Sequence, residues 1–218
     1  MTAAVVTLLL GTVWGLAFTP ADYQQGDSYR IIHIHVPSAI WSMGAYSSMA
    51  IAALIALVWQ VKAAQWAVGA IAPIGAVFTV IALFTGAAWG KPMWGTWWVW
   101  DARLTSELIL FFLYLGYIAL TSAIDDPRRA DKAAAVIAIV GAINVPIIYF
   151  SVKWWNTLHQ GASVSVTKGS SMASIMLTAM LIMSLAFWAY SIAIALYRVR
   201  TIILEREQHA DWVKNDLE

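Results

Sequence analysis

Cysteine is absent from this chain. That excludes disulfides, thiolate metal sites and thiol redox chemistry, and it leaves the compartment open. Charge is scarce too: 11% of residues are Asp, Glu, Lys or Arg, against about a quarter in soluble domains. A net charge of +1 provides no basic stripe to neutralise phosphates, so nucleic acid is not an expected partner. There is no internal repeat, no phosphate-binding loop and no nucleophile–base pair. Any ATP hydrolysis linked to this chain must therefore come from a partner. Alternating ten-residue strands, the signature of a membrane barrel, are missing. No basic region precedes the first apolar run, so a cleaved signal peptide is not expected.

What is present is apolar surface, with 61% of the 218 residues hydrophobic. One aqueous core of this size could not hide it, and membrane lipid is the solvent that accepts it. Six long apolar segments run about Thr2–Thr19, Val36–Gln60, Trp66–Trp89, Leu104–Ile124, Ala133–Val152 and Ser171–Tyr197. Each is near or above the ~20 residues a helical crossing needs. Backbone groups in lipid must pair within their own segment, which favours helices. The expected fold is all-α: one polytopic membrane domain, 1–218, with six transmembrane helices. The first segment is slightly short, which points to a start further upstream or a trimmed N terminus. Pro73 and Pro146 fall inside spans three and five, and each is expected to kink its helix.

Six crossings put loops one, three and five on one side, with the termini and loops two and four on the other. The second group holds Lys62, Arg128, Arg129, Lys132, Arg198, Arg200, Arg206 and Lys214, and the first holds Arg30, Lys91, Arg103, Lys153 and Lys168. The excess of basic residues puts both termini inside. The charged tail Glu205–Glu218, with His209, is expected to be a solvated helix end.

The chemistry-bearing residues collect on the outer side. Loop one carries Arg30, His33 and His35; loop three runs from Trp89 to Arg103; loop five includes Lys153, Trp154, Trp155 and His159. Seven of the thirteen tryptophans lie in these three loops, while the inner loop Asp125–Lys132 has none. A belt of interfacial tryptophans would spread over both sides. A helical run would align Trp94, Trp97, Trp98 and Asp101 in one stripe, a flat shelf suited to a large planar apolar ligand. Imidazole is a common axial ligand of haem iron. His35 and His159 come from different loops and could approach a macrocycle from opposite faces. His33 stands two residues from His35, so one of these two must be a spare. Arg30, Lys91, Arg103 and Lys153 could hold the haem propionates, guanidinium doing so by paired hydrogen bonds. Asp101 could cap span four. Glu107, one turn further in, needs a partner, a proton or a wet cavity.

The run Trp94-Gly-Thr-Trp97-Trp98-Val-Trp100-Asp101-Ala-Arg103-Leu-Thr resembles the tryptophan-rich WWD motif of haem-handling proteins. The whole chain resembles the CcmC family of bacterial cytochrome c maturation. Supporting stretches are Ala21-Asp-Tyr-Gln-Gln-Gly26, Ile34-His35-Val-Pro37, Ala39-Ile-Trp-Ser-Met43, Ala72-Pro-Ile-Gly-Ala-Val-Phe78 and Trp154-Trp-Asn-Thr-Leu-His-Gln-Gly161. The resemblance implies haem b seated at the periplasmic face of the inner membrane against segment 89–103. It implies iron ligation by His35 and His159, a ring backed by Trp94, Trp97, Trp98 and Trp100, and propionates held by Arg30 and Arg103. Asp101 shapes the loop or contacts the acceptor. The implied acceptor is the chaperone CcmE, which becomes attached to a haem vinyl group. The implied associates are CcmD and the ABC-type unit of CcmA and CcmB.

Two other functions fit parts of the pattern. One is a b-type membrane cytochrome moving electrons, although such proteins usually hold haem inside facing helices. The other is a haem permease, for which intramembrane charge is nearly absent apart from Glu107.

Overall fold

A computed structural model describes residues 2–161, 164–165, 169–170 and 172–212. Lys168, Lys214, Ser171 (the expected start of the last span) and the end of the charged tail lie outside the described residues. Helix α1 (Thr2–Val13) continues into a π-helical turn, Trp14–Phe18. A 3-10 turn, Asp27–Ile31, leads into α2 (Ile32–Trp59), and α3 (Lys62–Trp94) follows after a two-residue turn. Then come α4 (Ala102–Ala123), α5 (Pro127–Gly141), α6 (Asn144–Trp154) and α7 (Ser174–Arg206). A short antiparallel ladder, β1 (Val164–Ser165) with β2 (Gly169–Ser170), lies before α7. The protein is thus an all-α polytopic membrane protein. Among the described residues five helical stretches are long and apolar enough to cross a membrane, α5 and α6 together making one, and Thr2–Phe18 is a shorter apolar helix.

Local chemistry sets the helix ends. Asp101 caps α4, its Oδ1 accepting from the Leu104 N–H at 2.8 Å, and Asp126 caps α5 in the same way, with Pro127 at the first helical position. Helix α3 ends where Gly95 adopts φ +76, a left-handed conformation that glycine enters without steric cost. Pro146 has no N–H and crowds the carbonyl four residues earlier, so the expected kink in span five is a break at Ala142–Ile143. Asn144 secures the break through Nδ2, which donates to the Ser106 carbonyl at 2.9 Å. Helix α3, by contrast, runs unbroken through Pro73.

Helix α2 packs along α3, and α1 along α7. The main core joins Tyr46, Met49, Leu110, Tyr114 and Ile148 with many alanines of α2, α3 and α5. Small residues let membrane helices approach closely, because apolar burial gives little drive between helices in lipid. A Cβ on Gly75 would collide with the Tyr114 ring. Interhelical hydrogen bonds fix the register: Tyr114 Oη donates to the Ser42 carbonyl at 2.7 Å, and Trp41 Nε1 to the Ser184 carbonyl at 3.0 Å. Such bonds contribute about 0.6 kcal/mol each.

The helices extend past the apolar segments at one end of the bundle. His33 and His35 therefore lie on the first turns of α2, and Trp89, Lys91 and Trp94 on the last turns of α3, rather than in loops. Polar side chains there are carried on regular helix that projects beyond the apolar stretch.

Candidate functional site

The start of α2, the end of α3, the start of α4 and the segment after α6 meet at one end of the bundle. Between them is a cleft of about 680 Å³, its open mouth included, lined among others by His35, Trp89, Trp94, Trp98, Arg103 and His159. At its inner edge it reaches Ala39, Leu104 and Glu107.

His35 is buried and held from α3. Its Nδ1 lies 3.1 Å from both the Ala82 carbonyl and Thr85 Oγ1. A carbonyl can only accept, so Nδ1 carries the proton and the Nε2 lone pair is available for a metal. Gly86 makes room for the ring: a Cβ there would stand 2.9 Å from His35 Cε1. The Trp89 ring stands edge-on to His35 at 5.7 Å, its Nε1 donating to Gln25 at 2.9 Å.

His159 reaches the same cleft from the irregular segment after α6. Its ring centre lies 6.0 Å from that of His35 and 6.0 Å from that of Trp94. Metal–imidazole bonds are about 2 Å long, so two imidazoles sharing one ion from opposite sides have centres about 6 Å apart. The observed spacing fits that arrangement. Burial, and then the Arg103 guanidinium, push the His159 imidazole down from 6.5 to about 4, against an opposing pull from Asp101. His159 is therefore neutral at neutral pH, the form that binds metals. Among the described residues no cluster of three or more His, Asp or Glu could hold a bare ion.

The remaining sequence candidates divide. Trp94, Trp98 and Arg103 line the cleft, Arg103 also donating to the Ile148 carbonyl at 2.7 Å. Trp97 and Trp100 are 59% and 77% exposed and are not among its lining residues. The helical stripe expected from Trp94 to Asp101 does not form, because Gly95 ends α3 and the chain continues as a bend and extended backbone. Arg30 points to the π-helical turn, donating to the Leu16 carbonyl at 2.8 Å and pairing with Asp27 at 3.1 Å. Asp101 uses both oxygens within the protein, one on the Leu104 N–H and one on the Thr157 hydroxyl. Lys91 donates to the Gly95 carbonyl, and Lys153 stands over the Phe150 ring.

Two polar atoms of lining residues are buried without a hydrogen-bond partner among the described residues: Trp98 Nε1 and Glu107 Oε2. The other Glu107 oxygen accepts from Ser42 at 2.6 Å. Buried polar atoms are almost always bonded, so unpartnered ones beside a cleft mark a place for a ligand or water. His33 lies apart from the cleft. It is 1% exposed, neither ring nitrogen has a partner, and it packs against Gly15 rather than on the cleft. Sequence reasoning misses Thr85, Gly86 and Trp89 as site residues. Their spacing of about one helical turn puts them on one face of α3, and the packing of α2 against that face brings them to His35.

A family model described as CcmC, heme exporter protein C, matches residues 1–214. Heme exporter protein C of Escherichia coli is 58% identical over 97% of this chain and 85% of its own length. The Haemophilus influenzae protein of that name is 57% identical over 96% of this chain and 85% of its length. The Bradyrhizobium diazoefficiens one is 53% identical over 94% and 78%. A fold of apolar helices carrying this histidine–tryptophan cleft, matched over nearly the whole chain, places the protein in the CcmC family.

Proposed function

We propose that the cleft seats haem b as cargo in cytochrome c maturation, with His35 and His159 as the two iron ligands. The observation that carries this reading is the 6.0 Å spacing of the two rings, one presented by a helix and the other by the segment after α6. The ring lies against Trp94 and Trp98, and Arg103 serves a propionate through a charge-assisted bond. Trp98 Nε1 offers a further donor at the cleft wall. Trp97 and Trp100, exposed beside the mouth, cover the outer part of the ring or meet the acceptor. Arg30 serves the second propionate on releasing Asp27.

In this reading the site faces the periplasm, both termini face the cytoplasm, and Thr2–Phe18 makes the sixth crossing of the inner membrane. The chain hands haem to the CcmE chaperone and works with CcmD and with CcmA and CcmB, which supply ATP hydrolysis. The name of its relatives, heme exporter protein C, agrees with a place in haem export. A site at a helix-bundle end suits a haem that must leave better than one held for electron transfer.

The test is co-expression with an affinity-tagged CcmE acceptor, followed by haem staining of the denatured acceptor. Wild-type chain should yield covalently labelled acceptor, and His159→Ala should yield little. An unlabelled acceptor together with rapid reduction of the chain's haem by quinol would favour a cytochrome instead.

A further inference from the structure

The two imidazoles are anchored by different means. His35 sits within α2 and is bonded to α3. His159 sits on a segment that is neither helix nor strand, yet its ring must stay within reach of one iron. The bonds around it form a continuous path. The Thr157 hydroxyl accepts from the His159 backbone N–H at 3.0 Å and donates to the second carboxylate oxygen of Asp101. The first oxygen of Asp101 accepts from Leu104 N–H at 2.8 Å and so begins α4. One hydroxyl thus uses its proton in one direction and a lone pair in the other. The Thr157-to-His159 bond is the local turn that threonine hydroxyls support two residues on.

We propose that Asp101 and Thr157 form a clasp that positions His159 by tying the loop after α6 to the N-terminus of α4. It rests on the reading of His159 as an iron ligand. Thr157 is then a positioning residue: it touches no cargo and acts through the histidine two residues on. Asp101, the acidic residue of the tryptophan-rich motif, acts through the same path. The clasp explains why a carboxylate beside an Arg103 that lines the cleft spends both oxygens inside the protein. It also makes the His159 side the adjustable one, because its hold is a pair of polar bonds rather than a helix.

The experiment uses the full chain, purified in detergent with haem, and reads iron coordination by visible absorption and resonance Raman. Helix content by circular dichroism and a single gel-filtration peak control for folding. Thr157→Val should lose the two-imidazole, six-coordinate signature, leave a five-coordinate haem on His35, and bind haem about 10-fold or more weakly, the usual cost of a lost outer-shell partner. Added free imidazole should restore six-coordination, and Thr157→Ser should retain it. Should Thr157→Val fail to fold, Asp101→Asn replaces it: asparagine still caps α4, but it no longer presents two acceptor oxygens. A changed spectrum for His159→Ala alongside wild-type spectra for both clasp variants would overturn the clasp and leave the ligand reading standing. An unchanged spectrum for His159→Ala would overturn the ligand reading and the clasp with it.

Discussion

The two ends of the bundle are both polar, but they use polarity in opposite ways. At the end where α3 begins and α7 finishes, two ion pairs join separate helices. Arg206 holds Asp131 with two bonds of 3.1 and 3.2 Å, and Lys62 stands 3.8 Å from Glu207. At the end where α3 finishes, polar groups are buried with capacity left over: among the described residues, Trp98 Nε1 and Glu107 Oε2 have no hydrogen-bond partner. A closed network of bonds is what a structural anchor needs, whereas unspent capacity in a cleft is what a binding site needs. His33 shows that an unpartnered atom alone is not enough. It is as orphaned as any, but it faces a helix and not the cleft.

If this contrast is right, changes at the cleft end should alter haem and changes at the other end should alter only stability. Apart from loss of both histidines, the largest of these effects is expected at Arg103. Removing its charge in Arg103→Gln should weaken haem binding by about 10- to 100-fold, since hydrogen bonds to charged groups contribute about 1.5–3 kcal/mol. It has a second consequence with a definite sign. Arg103 helps hold His159 below its ordinary 6.5, at about 4, so the histidine stays neutral as pH falls until about 4, and haem binding should fail only there. Without the guanidinium the histidine protonates more readily, and the acid limb of a haem titration should move to higher pH. An unmoved acid limb would break the link between the two residues.

A smaller effect is expected from Gly86→Ala. The new Cβ presses on His35 Cε1, and the strain of about 1–3 kcal/mol should appear as weaker haem binding with the α-helix content intact. Haem titration by absorbance checks it. Smallest of all should be Arg206→Ala. It opens a partly exposed ion pair, costs at most about 1 kcal/mol of thermal stability, and leaves the haem spectrum as it was. A haem defect as large as that of Arg103→Gln would erase the distinction between the two ends.

Much of this is legible in the amino-acid sequence. The apolar runs carry the helices because lipid leaves the backbone no other partner, and the parity of crossings puts His35, His159 and the tryptophan run at one end. Asp101 as a cap follows from its place before span four. What sequence does not supply is the end of α3. Hydropathy falls off at Trp89, but the helix continues to Trp94 and stops only where Gly95 turns left-handed. That end takes Trp97 and Trp98 out of a common stripe with Trp94, while the packing of α2 along α3, which hydropathy does not register, puts Thr85, Gly86 and Trp89 beside His35. Nor does charge spacing reveal that Arg30 is engaged with Asp27 and the Leu16 carbonyl, because the π-helical turn that supplies that carbonyl leaves no clear trace in composition.

The most direct test of the central claim is the coordination of haem by the full chain carrying His35→Ala, His159→Ala or both. Two imidazoles on one iron predict a six-coordinate spectrum for the wild type and five-coordinate spectra for each single variant. The double variant should retain haem more than about 100-fold less tightly, by the same reasoning that makes ligand and near-ligand losses costly. A double variant that keeps haem with the wild-type spectrum would contradict the account.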